Sequence, residues 1–178
     1  MIQKKATEPV TIVIFGASGD LTTRKLIPSL YNLFKQNYLP DDFKVICFAR
    51  TQYSQENYAN KLREFFDYGE DFKSFFKHVI YLSGKYDSDE SYQKLKNYFR
   101  DTPPNRLFYM AVPPGQVKVI LNCLHHNIPC TARAIDENNC CERYWSRLIL
   151  EKPFGHDLES AKQLDQFLFE RFREDQIF

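Results

Sequence analysis

Residues 10–21 read VTIVIFGASGDL, and this stretch decides the fold: a strand-length apolar run passes straight into a turn with two glycines and then into a helical pattern. Gly16 supplies a bend where a Cβ would clash, and Gly19 lets the backbone come close to a phosphate. The helix read from Leu21 offers unpaired amides and the positive end of its dipole to that anion. The spacing is G-x-x-G rather than G-x-G-x-x-G, so by itself the turn serves equally well as a plain strand-to-helix corner.

Working outward, strand-like and helix-like patterns alternate along the whole chain. Apolar, β-branched or aromatic runs at Val10 to Phe15, Phe43 to Ala49, Val79 to Leu82, Arg106 to Val112 and Arg147 to Leu150 read as five buried strands. Helical stretches are expected at Leu21 to Lys35, Gln55 to Phe66, Phe72 to Lys77, Ser91 to Phe99 and Gln116 to His126. A last helix follows an Asp157 cap, with Leu158, Ala161, Leu164, Leu168 and Phe172 at helical spacing. Near-continuous apolar strands alternating with helices predict an α/β fold, a doubly wound parallel sheet of Rossmann-like form. In such a sheet the ligand sits beyond the carboxyl ends of the strands, where residues 16–23 fall. Tyr31, Leu33, Phe34, Phe65, Phe66, Phe75 and Phe76 read as core packing or domain-interface surface rather than a cofactor box. The irregular stretch Asn127 to Trp145 is longer than an ordinary connection and reads as a surface excursion or a functional loop.

A length of 178 residues suits one domain rather than two, and 43% hydrophobic residues provide for a sizeable core. Lysine and arginine number 24 against 23 acidic residues, so no overall field recruits nucleic acid or an anionic membrane, and any anion site has to be local. No apolar stretch near the start has the form of a signal peptide or a membrane span. Cys47, Cys123, Cys130, Cys140 and Cys141 are odd in number and lack C-x-x-C spacing, which reads as reduced thiols in a cytoplasmic protein with no metal site.

Three further segments carry chemistry. Arg50 ends the second strand, where an NAD-binding unit usually has an acid for the ribose 2′-hydroxyl; a guanidinium there can instead pair with the 2′-phosphate of NADP. The run NRLFYMAVPP at 105–114 ends a strand on two prolines, which either deliver backbone beside the nicotinamide ribose or simply start the next helix. Residues 151–155, EKPFG, close the fifth strand on the same rim as Gly16. There Lys152 offers a full charge and three donors to a phosphate, a sugar hydroxyl or the nicotinamide end, unless it is an ordinary surface lysine.

Together, GASGDL, CFAR, NRLFYMAVPP and LILEKPFGHDLESAKQL resemble, in order from Val10 onward, the coenzyme domain of the glucose-6-phosphate dehydrogenase family. The resemblance implies NADP as coenzyme, with Gly16, Ala17, Ser18, Gly19, Asp20, Leu21, Thr22 and Thr23 cradling its pyrophosphate and Arg50 on its 2′-phosphate. It also implies that Tyr86 and Asp87 flank the adenine and that Lys152 touches both coenzyme and glucose 6-phosphate. In that family a histidine base removes the C1 hydroxyl proton while hydride passes to NADP, giving the 6-phosphogluconolactone of the pentose phosphate pathway, and the full-length enzyme is a homo-oligomer. Two departures stand out: Val117 replaces the family's aromatic after Pro-Pro, and the substrate and base motif R-I-D-H-Y-L-G-K-E is absent from a sequence ending REDQIF. Residues 1–178 therefore read as the NADP-binding domain without its catalytic domain, inactive alone. A free-standing NADP(H) sensor is the alternative.

Overall fold

The computed structural model describes residues 5–128 and 144–178. Five strands form, β1 Val10–Phe15, β2 Phe43–Ala49, β3 Val79–Ser83, β4 Asn105–Met110 and β5 Ser146–Leu150. The helices are α1 Ile27–Lys35, α2 Gln55–Arg63, α3 Phe72–Phe76, α4 Asp89–Tyr98, α5 Pro114–Asn127 and α6 Leu158–Arg171. The strands make one sheet in the order β3-β2-β1-β4-β5, every neighbouring pair parallel. The chain runs outward from β1 through β2 to β3, then crosses to the other side for β4 and β5. The reversal opens a crevice beyond the carboxyl ends of β1 and β4.

All six residues of β1 are buried, because helices cover both faces and the side chains alternate between two cores. Val13 and Phe15 join Ile46, Phe48 and Phe108 beneath α4, α5 and α6; Ile12 and Ile14 join Val45 and Cys47 beneath α1, α2 and α3. Polar side chains tie the amino-terminal edge. Asn105 donates to the Pro9 carbonyl at 2.9 Å and accepts from the Trp145 amide at 3.1 Å, while the Thr11 hydroxyl donates to Pro103 at 2.7 Å.

Departures from the sequence reading have local causes. The helix expected from Leu21 is wound through Thr22–Leu26 as a π-helix, with the Ile27 amide reaching back to Thr22. Pro28 follows; lacking an N–H, it cannot bond the fourth carbonyl back, and the wider turn absorbs that misfit. β4 stops at Met110 rather than Val112, since Pro113 and Pro114 cannot extend the ladder and Pro114 opens α5. α2 ends at Arg63, short of Phe66; Leu33 is exposed, so of its two readings core packing does not hold. One pairing was not expected. Ile177 lies parallel beside Leu148, the Phe178 amide donates to the Leu148 carbonyl, and the Leu150 amide donates to Phe178. Pro129, Cys130, Asn138, Asn139, Cys140 and Cys141 of the long connection lie outside the described residues.

Candidate functional site

Every segment singled out for chemistry emerges at the carboxyl rim of the parallel sheet, in the loops that follow β1, β2, β3, β4 and β5. At its centre Gly16 has φ +85°, and a Cβ placed on it would stand 2.0 Å from the Ala111 carbonyl oxygen. Gly16 is thus demanded by the neighbouring strand exit as well as by the bend itself. Gly19 faces solvent, and a Cβ there would meet only the Gly16 carbonyl, at 3.2 Å. The room in front of Gly19 is open to a ligand.

The turn is closed from within. The Thr22 hydroxyl donates to the Gly16 carbonyl and that of Thr23 to Gly19, each at 3.1 Å, and both threonines are buried. The Ala17 methyl is buried in the core beneath α1, and its amide bonds the Phe48 carbonyl. Asp20 reaches Arg24 at 3.5 Å. The amides of Ser18, Asp20 and Leu21 make no backbone hydrogen bond among the described residues. What this turn presents outward is therefore backbone N–H at a helix start, the chemistry that receives a phosphate.

To one side stands Arg50, exposed at the exit of β2, its guanidinium 5.5 Å from the centre of the Tyr86 ring. It makes no ion pair among the described residues, so its charge is available to an anion. Tyr86 is a rigid platform: its ring meets Phe15 and Phe48 edge-on, and its carbonyl accepts from the Tyr92 hydroxyl at 3.0 Å. Burial raises the Tyr86 phenol above its ordinary range, partly offset by backbone hydrogen bonding at Gly16 and by the Arg50 charge. Asp87 is exposed beside it. Gly84, which the sequence reading passed over, lets this loop close on the sheet, because a Cβ there would lie 2.6 Å from the Phe48 ring and 2.7 Å from the Ser91 hydroxyl. Its signal was a glycine directly after a strand.

To the other side, a cleft of about 250 Å³ is walled by Leu21, residues 111–114, Val117, Leu150 and residues 151–154, Lys152 among them. The Lys152–Pro153 peptide is cis. Tyr109 donates to the Glu151 carboxylate, and burial together with that carboxylate pushes the Tyr109 phenol up to about 12. Lys152 and Leu21 thus share one cleft, Arg50 and Tyr86 share the opposite flank, and the glycine turn lies between them. An extended ligand with a central anion, a second anion at one end and a ring at the other matches this layout.

Comparison with known proteins bears on family and fold. Residues 13–178 match the family described as glucose-6-phosphate dehydrogenase, NAD binding domain. A glucose-6-phosphate 1-dehydrogenase from Caenorhabditis elegans is 37% identical over 98% of this chain and 34% of its own length, and one from Aggregatibacter actinomycetemcomitans is 38% identical over 96% and 35%. A solved glucose-6-phosphate dehydrogenase in complex with its substrate glucose-6-phosphate superposes with a TM-score of 0.82 at 34% identity, over 98% of this chain and 37% of that one. The glucose-6-phosphate 1-dehydrogenase from Mycobacterium avium gives 0.77 at 28%. The chain spans about a third of the length of the curated relatives it matches. With its parallel sheet, its glycine turn and its EKPFG rim, the chain belongs to the glucose-6-phosphate dehydrogenase NAD-binding domain family.

Proposed function

We propose that this chain is the coenzyme half of an NADP-dependent dehydrogenase that oxidises glucose 6-phosphate to its lactone. The observation that carries NADP rather than NAD is Arg50. A guanidinium with no carboxylate partner among the described residues rests on the Tyr86 ring, where NAD-binding units place an acid. The unbonded amides of Ser18, Asp20 and Leu21 suit the pyrophosphate, and Gly19 leaves them uncovered. Asp87 stands beside Tyr86 on the adenine side. When bound, the nicotinamide supplies a hydride acceptor. The chain's own part is to bind and orient: Arg50 and Tyr86 hold the adenylate end, the glycine turn fixes the middle, and residues 111–114 wall the cleft that Lys152 lines. In that cleft the Lys152 ammonium can donate to a sugar hydroxyl or a phosphate. Calorimetric titration of the purified chain with NADP and with NAD tests the reading; tighter binding of NADP supports it, and equal affinities overturn the NADP assignment.

A further inference from the structure

Two tyrosines outside the rim hold its two anion-binding corners from behind. Tyr58 of α2 is wholly buried, and its hydroxyl donates to the Ala17 carbonyl at 3.0 Å, 41 residues away in sequence. Ala17 is thereby held at both ends, since its amide already bonds Phe48. Tyr81 of β3 packs its ring 4.3 Å from that of Tyr58 and donates its hydroxyl to the Thr51 carbonyl at 2.8 Å. The Thr51 hydroxyl in turn donates to Ser18 at 2.9 Å. Gln55 braces the pair, donating to the Val79 carbonyl at 2.6 Å and accepting from the Tyr81 amide at 2.8 Å.

We propose that Tyr58 and Tyr81 are positioning residues for the coenzyme, Tyr58 through Ala17 for its pyrophosphate and Tyr81 through Thr51 for its 2′-phosphate. The inference rests on the functional reading above and adds to it. A carbonyl carries its negative end on oxygen, so one swinging outward among the amides of residues 18–21 would repel a phosphate there. The Tyr58 hydroxyl holds the Ala17 carbonyl inward and so keeps that backbone acceptor out of the space. Thr51 directly follows Arg50, so the Tyr81 bond fixes the backbone from which the guanidinium projects. The Tyr81 hydroxyl also meets the Ser18 hydroxyl, which keeps its bond from Thr51 when Tyr81 is altered, so each tyrosine acts chiefly through the carbonyl it holds.

The test is calorimetric titration of the wild-type chain, Tyr58→Phe and Tyr81→Phe with three probes: NADP, NAD and adenosine 2′-phosphate, which lacks the pyrophosphate. Each variant deletes one hydroxyl and keeps the ring packing, and a net hydrogen bond is worth a change in Kd of roughly three- to tenfold. Tyr58→Phe should weaken NADP and NAD alike by that factor and leave adenosine 2′-phosphate unchanged. Tyr81→Phe should weaken NADP and adenosine 2′-phosphate and leave NAD within about twofold. A merely structural role would lower the melting temperature without this split by probe. Unchanged affinities for all three probes in both variants, or an equal loss across all three in both, overturns the inference. Should one variant fail to fold, the pattern of the other decides. Failure of the wild-type chain to bind either dinucleotide would instead overturn the functional reading, and this inference with it.

Discussion

On the proposed reading, Arg50 and Gly19 serve affinity, whereas Gly16 serves the architecture of the rim. Arg50→Ala removes a charge-assisted fork from the exit of β2, and NADP affinity is expected to fall about ten- to hundredfold with little change for NAD. Equal losses for both nucleotides on titration would remove Arg50 from the 2′-phosphate. The glycines separate in the opposite sense. Gly16→Ala forces a Cβ to 2.0 Å from the Ala111 carbonyl at positive φ, so its cost falls on the fold, on the order of 3 kcal/mol or roughly 6–12 °C in Tm. Gly19→Val faces solvent and meets only the Gly16 carbonyl, at 3.2 Å, so its melting temperature should fall far less than that of Gly16→Ala while the nucleotide-induced rise in Tm disappears. Thermal unfolding with and without NADP reads both variants, and a Gly19→Val chain still stabilised by NADP would place the phosphate elsewhere. At this scale the sequence spoke clearly where one residue type has one physical use, as at Gly16, whose positive φ and close neighbour leave no room for a Cβ. It was silent on Tyr58 and Tyr81, whose bonds to Ala17 and Thr51 join residues 41 and 30 positions apart.

The elements obey local rules that are legible from the chain alone, and their ends obey neighbours that are not. β1 and β2 begin and end where apolar patterning places them. The π-wound start of the first helix needed knowledge of how Pro28 would be accommodated, and the end of β4 depended on how far ahead of Pro113 and Pro114 the ladder would stop. α6 is the best-signalled helix. Asp157 accepts from the Ser160 amide at 2.8 Å, and the Ser160 hydroxyl accepts from the Asp157 amide at 3.1 Å, a reciprocal cap. The bond from the Ser160 amide foremost, and after it the Ser160 hydroxyl, hold the Asp157 carboxyl below its ordinary value of 3.8. A depressed folded-state pKa contributes stability that is present above the unfolded value and is lost as pH falls through the folded one. Asp157→Asn can still cap but cannot ionise. The wild-type chain should therefore melt slightly above this variant near neutrality, with the gap closing as the carboxylate is protonated in acid and narrowing in high salt, as suits an exposed group. Melting curves of the pair across that range check it; a gap that persists in acid would mean the charge does not act through the cap.

For the molecule as a whole, the sheet order was legible in outline because parallel strands with helical crossovers allow few arrangements, whereas the alongside course of Ile177 and Phe178 on β5 was not, two residues being too short for any pattern. The division of the rim into an Arg50 flank and a Lys152 cleft emerges only once β2 and β5 stand on opposite sides of β1. That division yields the last prediction: the 178-residue polypeptide binds NADP but does not oxidise glucose 6-phosphate. Oxidising the C1 hydroxyl requires a proton acceptor beside the hydride acceptor, and none of the four histidines lines the Lys152 cleft. His78 stacks on Phe43 at 4.4 Å, His125 and His126 fall in the last turn of α5, and His156 precedes the α6 cap. A positioned base contributes about 10² to 10⁴ in rate, and fixing both reactants removes roughly 7–11 kcal/mol of barrier, most of which a site holding the coenzyme alone forgoes. Saturating NADP at about a hundred times its Kd should raise stability by about 2.7 kcal/mol, visible as a shift of roughly 5–11 °C, while absorbance at the reduced-nicotinamide band stays flat after glucose 6-phosphate is added. Sustained reduction of NADP that disappears in Lys152→Ala would refute this and turn attention to His156, Asp157 and Asp20 as the base.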